Sequence, residues 1–225
     1  MNFALITEGI SEYRIMKHII SKYFKDYEPE INQIQPKVVN NKQETIGGWN
    51  EVLKYCEREE LNDLFIENEY LIIQIDSDKS IIKPFDVTHT KIVPESGLNV
   101  NKTFDELYAD IVAKLQSLIN PHILQKYNDK ILFAICIHSI ECWLLPIYYT
   151  NVHKTNTQNC TTPLNSELRR RGIHIISKGD KNGSASIKTY DTILKNWKRK
   201  QDILDSAQHN TGFNNFISSL SSINI

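Results

Sequence analysis

The stretch YLIIQIDSDKS, residues 70–80, decides the fold: an isoleucine-rich run ends abruptly in two aspartates one residue apart, Asp76 and Asp78. A strand with one wet face alternates apolar and polar residues, whereas this run is apolar at nearly every position. It therefore reads as a strand covered on both sides, which is the habit of parallel sheets. Residues 131–137, ILFAICI, repeat the pattern, and residues 3–7 give a shorter version followed by Glu8-Gly9. Between these runs lie helical spacings. Ile15, His18, Ile19 and Lys22 recur at helical intervals over 11–24; Trp49, Val52, Leu53 and Cys56 share a face after Gly47-Gly48; Phe104, Leu107, Ile111 and Leu115 form a stripe over 103–119. Residues 36–39 read as a weak second strand, 79–102 as a loop, and CWLLPIYY after Glu141 as an apolar helix. Strands without alternation, separated by amphipathic helices, predict an α/β fold: a mostly parallel, Rossmann-like sheet with helices on both faces.

With 225 residues, 40% hydrophobic and 24% charged, the chain suits one substantial domain with a sizeable core. We divide it into a core, 1–150, and a helical, basic extension, 151–225, packed on that core. No window approaches the roughly 18 apolar residues of a membrane helix, and the first residues are apolar too briefly for a signal peptide. A cytoplasmic protein without a membrane partner is expected. Cys56, Cys136, Cys142 and Cys160 form no CxxC pair, so reduced thiols are expected. The charges nearly cancel, 26 Lys and Arg against 27 Asp and Glu, but unevenly: residues 168–200 hold ten basic and two acidic residues, a balance of +8, which leaves −9 for the rest. Such an arm serves a polyanion or is a solvated helix face.

Glu8 follows the first strand, Asp76 and Asp78 the third, and Glu141 the last. In an open parallel sheet, ligands gather at the carboxyl ends of the strands. Aspartates two apart on an extended chain project to one side, so they can share a cation; all-oxygen donors favour Mg²⁺ or Mn²⁺. Each acid taken singly also serves as a turn residue or helix cap. His138 and Ser139, as neighbours on an extended chain, point apart and make a poor base and nucleophile pair.

The order ALITEGISE, then YLIIQIDSD, resembles the TOPRIM domain of topoisomerases, bacterial primases and the overcoming-lysogenization-defect nucleases. The segment FAICIHSIECWLL, through Ser139, Glu141 and Trp143, resembles RloB-like small TOPRIM proteins of bacterial defence. The tail GFNNFISSL, with Phe213 and Phe216, is similar to the closing helix of that group. Lys79 stands where the family often carries another acid. The resemblance implies a Mg²⁺-dependent (or Mn²⁺-dependent) nuclease cleaving DNA or transfer RNA. Asp76 and Asp78 would hold metal, Glu8 would be a ligand or general base, and Glu141 would complete a second metal position. Lys178 and Lys181 would neutralise the leaving oxygen, while Arg169, Arg170, Arg171 and Lys188 would hold the nucleic-acid backbone. Two alternatives stand beside this: a non-catalytic subunit of a defence ATPase, and a primase-like phosphotransfer. No Walker A motif is present, so ATP dependence would come from a partner. The oligomeric state is open, a homodimer included.

Overall fold

The computed structural model describes residues 1–39, 42–43, 47–177 and 179–223. Its strands and helices follow in chain order as β1 (Asn2–Ile6), α1 (Ile10–Tyr23), β2 (Glu30–Gln35), β3 (Val38–Val39), β4 (Lys42–Gln43), α2 (Trp49–Cys56), α3 (Leu64–Glu67) and β5 (Tyr70–Asp76). They continue as β6 (Thr90–Ile92), β7 (Asn99–Asn101), α4 (Phe104–Leu118), α5 (Pro121–Tyr127), β8 (Ile131–Cys136), α6 (Glu141–Leu144), α7 (Thr161–Arg170), α8 (Ser184–Leu194), α9 (Lys200–Ala207) and α10 (Thr211–Ser221). Four strands form one sheet in the order β2-β1-β5-β8, every pair parallel. The chain leaves β1 toward one edge and later returns to β5 on the other side. The gap between the carboxyl ends of β1 and β5 is thus the switch point, where loops diverge and leave a crevice.

The apolar strands bury both faces, as their lack of alternation requires. Phe3, Leu5, Ile72, Leu132 and Ala134 meet α1 and the helices α8 to α10. Ala4, Ile6, Leu71, Ile73, Phe133 and Ile135 meet α2 and α4 on the other face. The C-terminal helices therefore share a core with α1. Trp143, fully buried, stacks on Phe213 with ring centroids 4.4 Å apart. Gly212 lets α10 lie against β8, because a Cβ there would run into the Ile135 carbonyl oxygen.

Several expectations need correction. The second sheet strand is Glu30–Gln35, not 36–39: it is an edge strand with a half-open face, so it is largely polar. Val38–Val39 instead pairs antiparallel with Lys42–Gln43. The expected loop 79–102 holds a hairpin, β6 with β7, of three-residue strands too short to register as a pattern. The helix after Glu141 lasts one turn and tightens to a 3₁₀ turn at Leu145–Ile147, where Pro146 has no N–H to continue the ladder. Cys142 and Cys160 are joined as a disulfide, against the expected reduced thiols; folding brings together cysteines 18 residues apart, which spacing alone did not reveal. Cys56 and Cys136 are free and buried. Among the described residues, no helix is long and apolar enough to cross a membrane.

Candidate acidic active site

The switch point is lined by acids. Asp76, the last residue of β5, is 4% exposed, and Glu8, two residues past β1, reaches across to it: the Asp76 backbone N–H donates to Glu8 Oε1 at 2.6 Å. Gln74, buried within β5, ties the two together. Its amide Nε2 donates to Asp76 Oδ1 at 3.0 Å, while its Oε1 accepts from the Glu8 N–H at 3.2 Å. A polar residue inside an otherwise apolar strand is thus the strut that sets the carboxylates.

A further acid enters from α1. Glu12 is buried in the first turn, where the helix dipole favours a negative charge. It accepts from Ser11 Oγ at 2.7 Å. Asn182 closes this side, its Oδ1 accepting from the Ser11 N–H and hydroxyl. Gly9 makes the crowding feasible: a Cβ there would run into Glu12 Oε2 and would lie 2.7 Å from Asn182. Glycine is needed here for space; its φ of −152° is ordinary extended backbone.

Lys181 is the cation of the cluster. Its ammonium donates to both oxygens of the fully buried Glu141, at 2.9 and 3.0 Å, and Tyr190 Oη donates to Glu141 Oε1 at 2.6 Å. Burial would raise the Glu141 pKa, but Lys181 and Tyr190 together hold it below the usual carboxylate range. The same acids hold the Lys181 ammonium firmly protonated. The other three carboxyls go the opposite way. Burial pushes Glu8 up to about 8, against the Asp76 N–H that lowers it, with Glu12 and Asp78 adding like charge. Asp76 and Glu12 are raised by burial and by their acidic neighbours. The centre gathers more carboxyls than Lys181 can keep ionised, so burial and mutual repulsion favour their protonated forms.

The expected residues are thus only partly brought together. Glu8, Asp76, Glu141 and Lys181 meet, and Glu12 joins them unforeseen, although its placement four residues after Glu8 at a helix start was a visible signal. Asp78 does not share the buried side with Asp76, because the strand ends at Asp76. Its side chain is 46% exposed, 3.8 Å from Lys79 Nζ. It lines an open cleft of about 360 Å³ with His138, Ser139, Asn159 and Lys181. His138 has φ +62°, so the extended geometry expected there is absent. Glu141, expected as a metal ligand, has its oxygens taken by Lys181 and Tyr190 in this structure. Lys178 lies outside the described residues.

The expected backbone-binding arginines do not reach the centre. They close α7, which starts at the cleft with Thr161 and runs away from it through Arg170. At the helical rise per residue, that length carries them about 15 Å off. Arg170 and Arg171 both bind Glu167 on their own helix. Lys188 is exposed on α8, beside His174 and Ser184.

Fold and site define an α/β protein of Rossmann-like architecture with a buried acidic centre at its switch point. Comparison with protein-family models, curated proteins and solved structures finds no match to this chain. Among the described residues, no three His, Cys, Asp or Glu side chains converge as a ready metal cage. By donor type, however, Glu8 and Asp76, which meet, fit a hard divalent cation, with Asp78 exposed at the adjoining cleft. They are carboxylates at one edge, and the two inner ones have protons held on by burial and uncompensated like charge.

Proposed function

We propose that the chain is a TOPRIM-type, Mg²⁺- or Mn²⁺-dependent nuclease that hydrolyses phosphodiester bonds of DNA or transfer RNA in bacterial anti-phage defence. The observation that carries the chemistry is the meeting of Glu8 and Asp76 at the switch point, two buried carboxyls whose ionisation is resisted until a cation offsets it. The defence assignment rests on the resemblance of FAICIHSIECWLL. Glu8, Asp76 and Asp78 would hold the cation, which when bound polarises a phosphate oxygen and offsets developing charge. If Asp76 and Asp78 alone hold the cation, Glu8, raised by burial to about 8, is instead placed to accept a proton from an attacking water. Lys181, held by Glu141, whose carboxylate Tyr190 also fixes, lines the open cleft and would present a positive charge to a leaving oxygen. Glu12 and Asn182 brace the Glu8-Gly9 turn.

The test is incubation with DNA and with total transfer RNA in Mg²⁺ or Mn²⁺, beside Asp76→Asn, with Mn²⁺ affinity measured by calorimetry. Cleavage and Mn²⁺ binding by the wild type, both lost in the variant, are expected. Equal Mn²⁺ affinity in the two proteins, or activity that persists in Asp76→Asn, refutes the assignment.

A further inference from the structure

We propose that the groove between α1 and α8 carries the phosphate backbone of the nucleic-acid substrate, leading it to the acidic centre; this rests on the nuclease reading above. The groove encloses about 790 Å³ and is lined by Arg14, Lys17, His18 and Lys22 of α1 and by Lys195 just past α8. Positions 14, 17, 18 and 22 recur at helical spacing, so they make one stripe, while Ile15, Met16, Ile19 and Ile20 on the opposite face enter the core.

The charge of this groove is unbalanced. Among the described residues Asp191 is the acid that lines it, and its carboxylate is taken by Arg14 in a two-oxygen contact of 2.8 and 3.0 Å. Lys17, Lys22 and Lys195 have no carboxylate partner among the described residues. This is unlike Arg170 and Arg171, which spend their charge on Glu167. His18 does not add charge: burial lowers its pKa, and Nε2 lies 2.9 Å from the Trp197 carbonyl, to which it donates.

Position makes the stripe useful. α1 begins at Gly9 and Glu12 in the acidic centre and runs away from it, so the cations mark a path that ends at the carboxylates. From Arg14 to Lys22 the helix rises about 12 Å, long enough to meet more than one phosphate of a single strand laid along it. A centre built of acids, with Asp78 exposed at its cleft, offers a phosphodiester little attraction, so a nearby cationic track is needed to hold the polyanion there. The concave shape, with Tyr13 and Leu194 in its lining, admits a chain with stackable bases and excludes a flat lipid surface.

The test is fluorescence anisotropy with a labelled mixed-sequence single strand, in EDTA so that binding is read without cleavage, across a salt series. Replacing Lys17, Lys22 and Lys195 together with alanine should weaken binding at least tenfold and flatten the log–log salt slope by about 2. Arginine at the same three positions should restore both, and alanine at Arg169, Arg170 and Arg171 should change neither. Wild-type affinity and slope in the triple lysine variant overturn the groove, as does a preference of the wild type for phosphatidylserine vesicles over the strand. Failure of the nuclease reading looks different: Asp76→Asn then matches the wild type in Mn²⁺ binding and in cleavage, whatever the lysines do.

Discussion

Replacing Lys181 with methionine removes the ammonium that Glu141 holds and leaves that fully buried carboxylate without a cation among the described residues. Breaking one side of a buried pair costs about 3–5 kcal/mol when the other side must stay charged. Glu141 has an escape, which is to take up a proton, and this sets a ceiling. From its ordinary value of 4.5, protonation costs about 1.4 kcal/mol for each pH unit above that value. The loss of stability through Glu141 is therefore at most about 3 kcal/mol at pH 7 and about 1 kcal/mol at pH 5.5. The sign follows from the protons bound: in the variant the folded state keeps a proton that the unfolded state releases, so raising the pH favours unfolding. Urea unfolding of both proteins at the two pH values reads this directly. A difference below about 1 kcal/mol that is the same at both pH values would show that Lys181 is not seated on Glu141, and with it the arrangement of the centre would fall.

Glu8 makes the wild type pH-sensitive in the same sense. With a folded pKa of about 8 against 4.5 unfolded, it contributes no slope below about 4.5, then costs stability as pH rises to about 8. A melting-temperature series across that window should fall, and saturating Mn²⁺ should flatten it. Gly9→Ala should displace Glu12 and Asn182, whose flexible ends can move, so cleavage should drop more than stability; a fully active, equally stable variant speaks against the crowded turn. Gly212→Ala meets a backbone carbonyl that cannot step aside, and it should destabilise by about 1–3 kcal/mol or more, read by urea unfolding. Reducing the Cys142–Cys160 bridge should lower stability by about 3 kcal/mol, the chain-entropy scale for a loop this short. Cys160→Ser should lose all sensitivity to reductant.

The sheet could be read from sequence where burial on both faces left a continuous apolar run, as at Tyr70–Asp76 and Ile131–Cys136. It could not be read at Glu30–Gln35, because an edge strand with one face half open obeys neither the continuous nor the cleanly alternating pattern. The hairpin of Thr90–Ile92 with Asn99–Asn101 offers three residues per strand, below what any periodicity can register. The disulfide was hidden for a different reason: Cys142 and Cys160 meet only because the chain folds back between α6 and α7, a tertiary fact.

The acidic centre was legible along the chain but not across it. Strand ends announce Glu8 and Asp76, since an apolar run that stops at a carboxylate places it at the sheet edge. The partners that decide what those carboxylates do come from elsewhere: Glu12 from the next helix, Gln74 from inside the strand, Lys181 from beyond residue 150. Glu141 illustrates the consequence. Its place after β8 equals that of a ligand, yet Lys181 and Tyr190, 40 and 49 residues later, claim both its oxygens. A carboxylate so engaged has its charge held on, while Glu8 and Asp76, facing acids across the crevice, have theirs resisted. Four similar side chains at one edge thereby divide into an anchor and a group short of a cation. That division is the property on which the proposed chemistry depends.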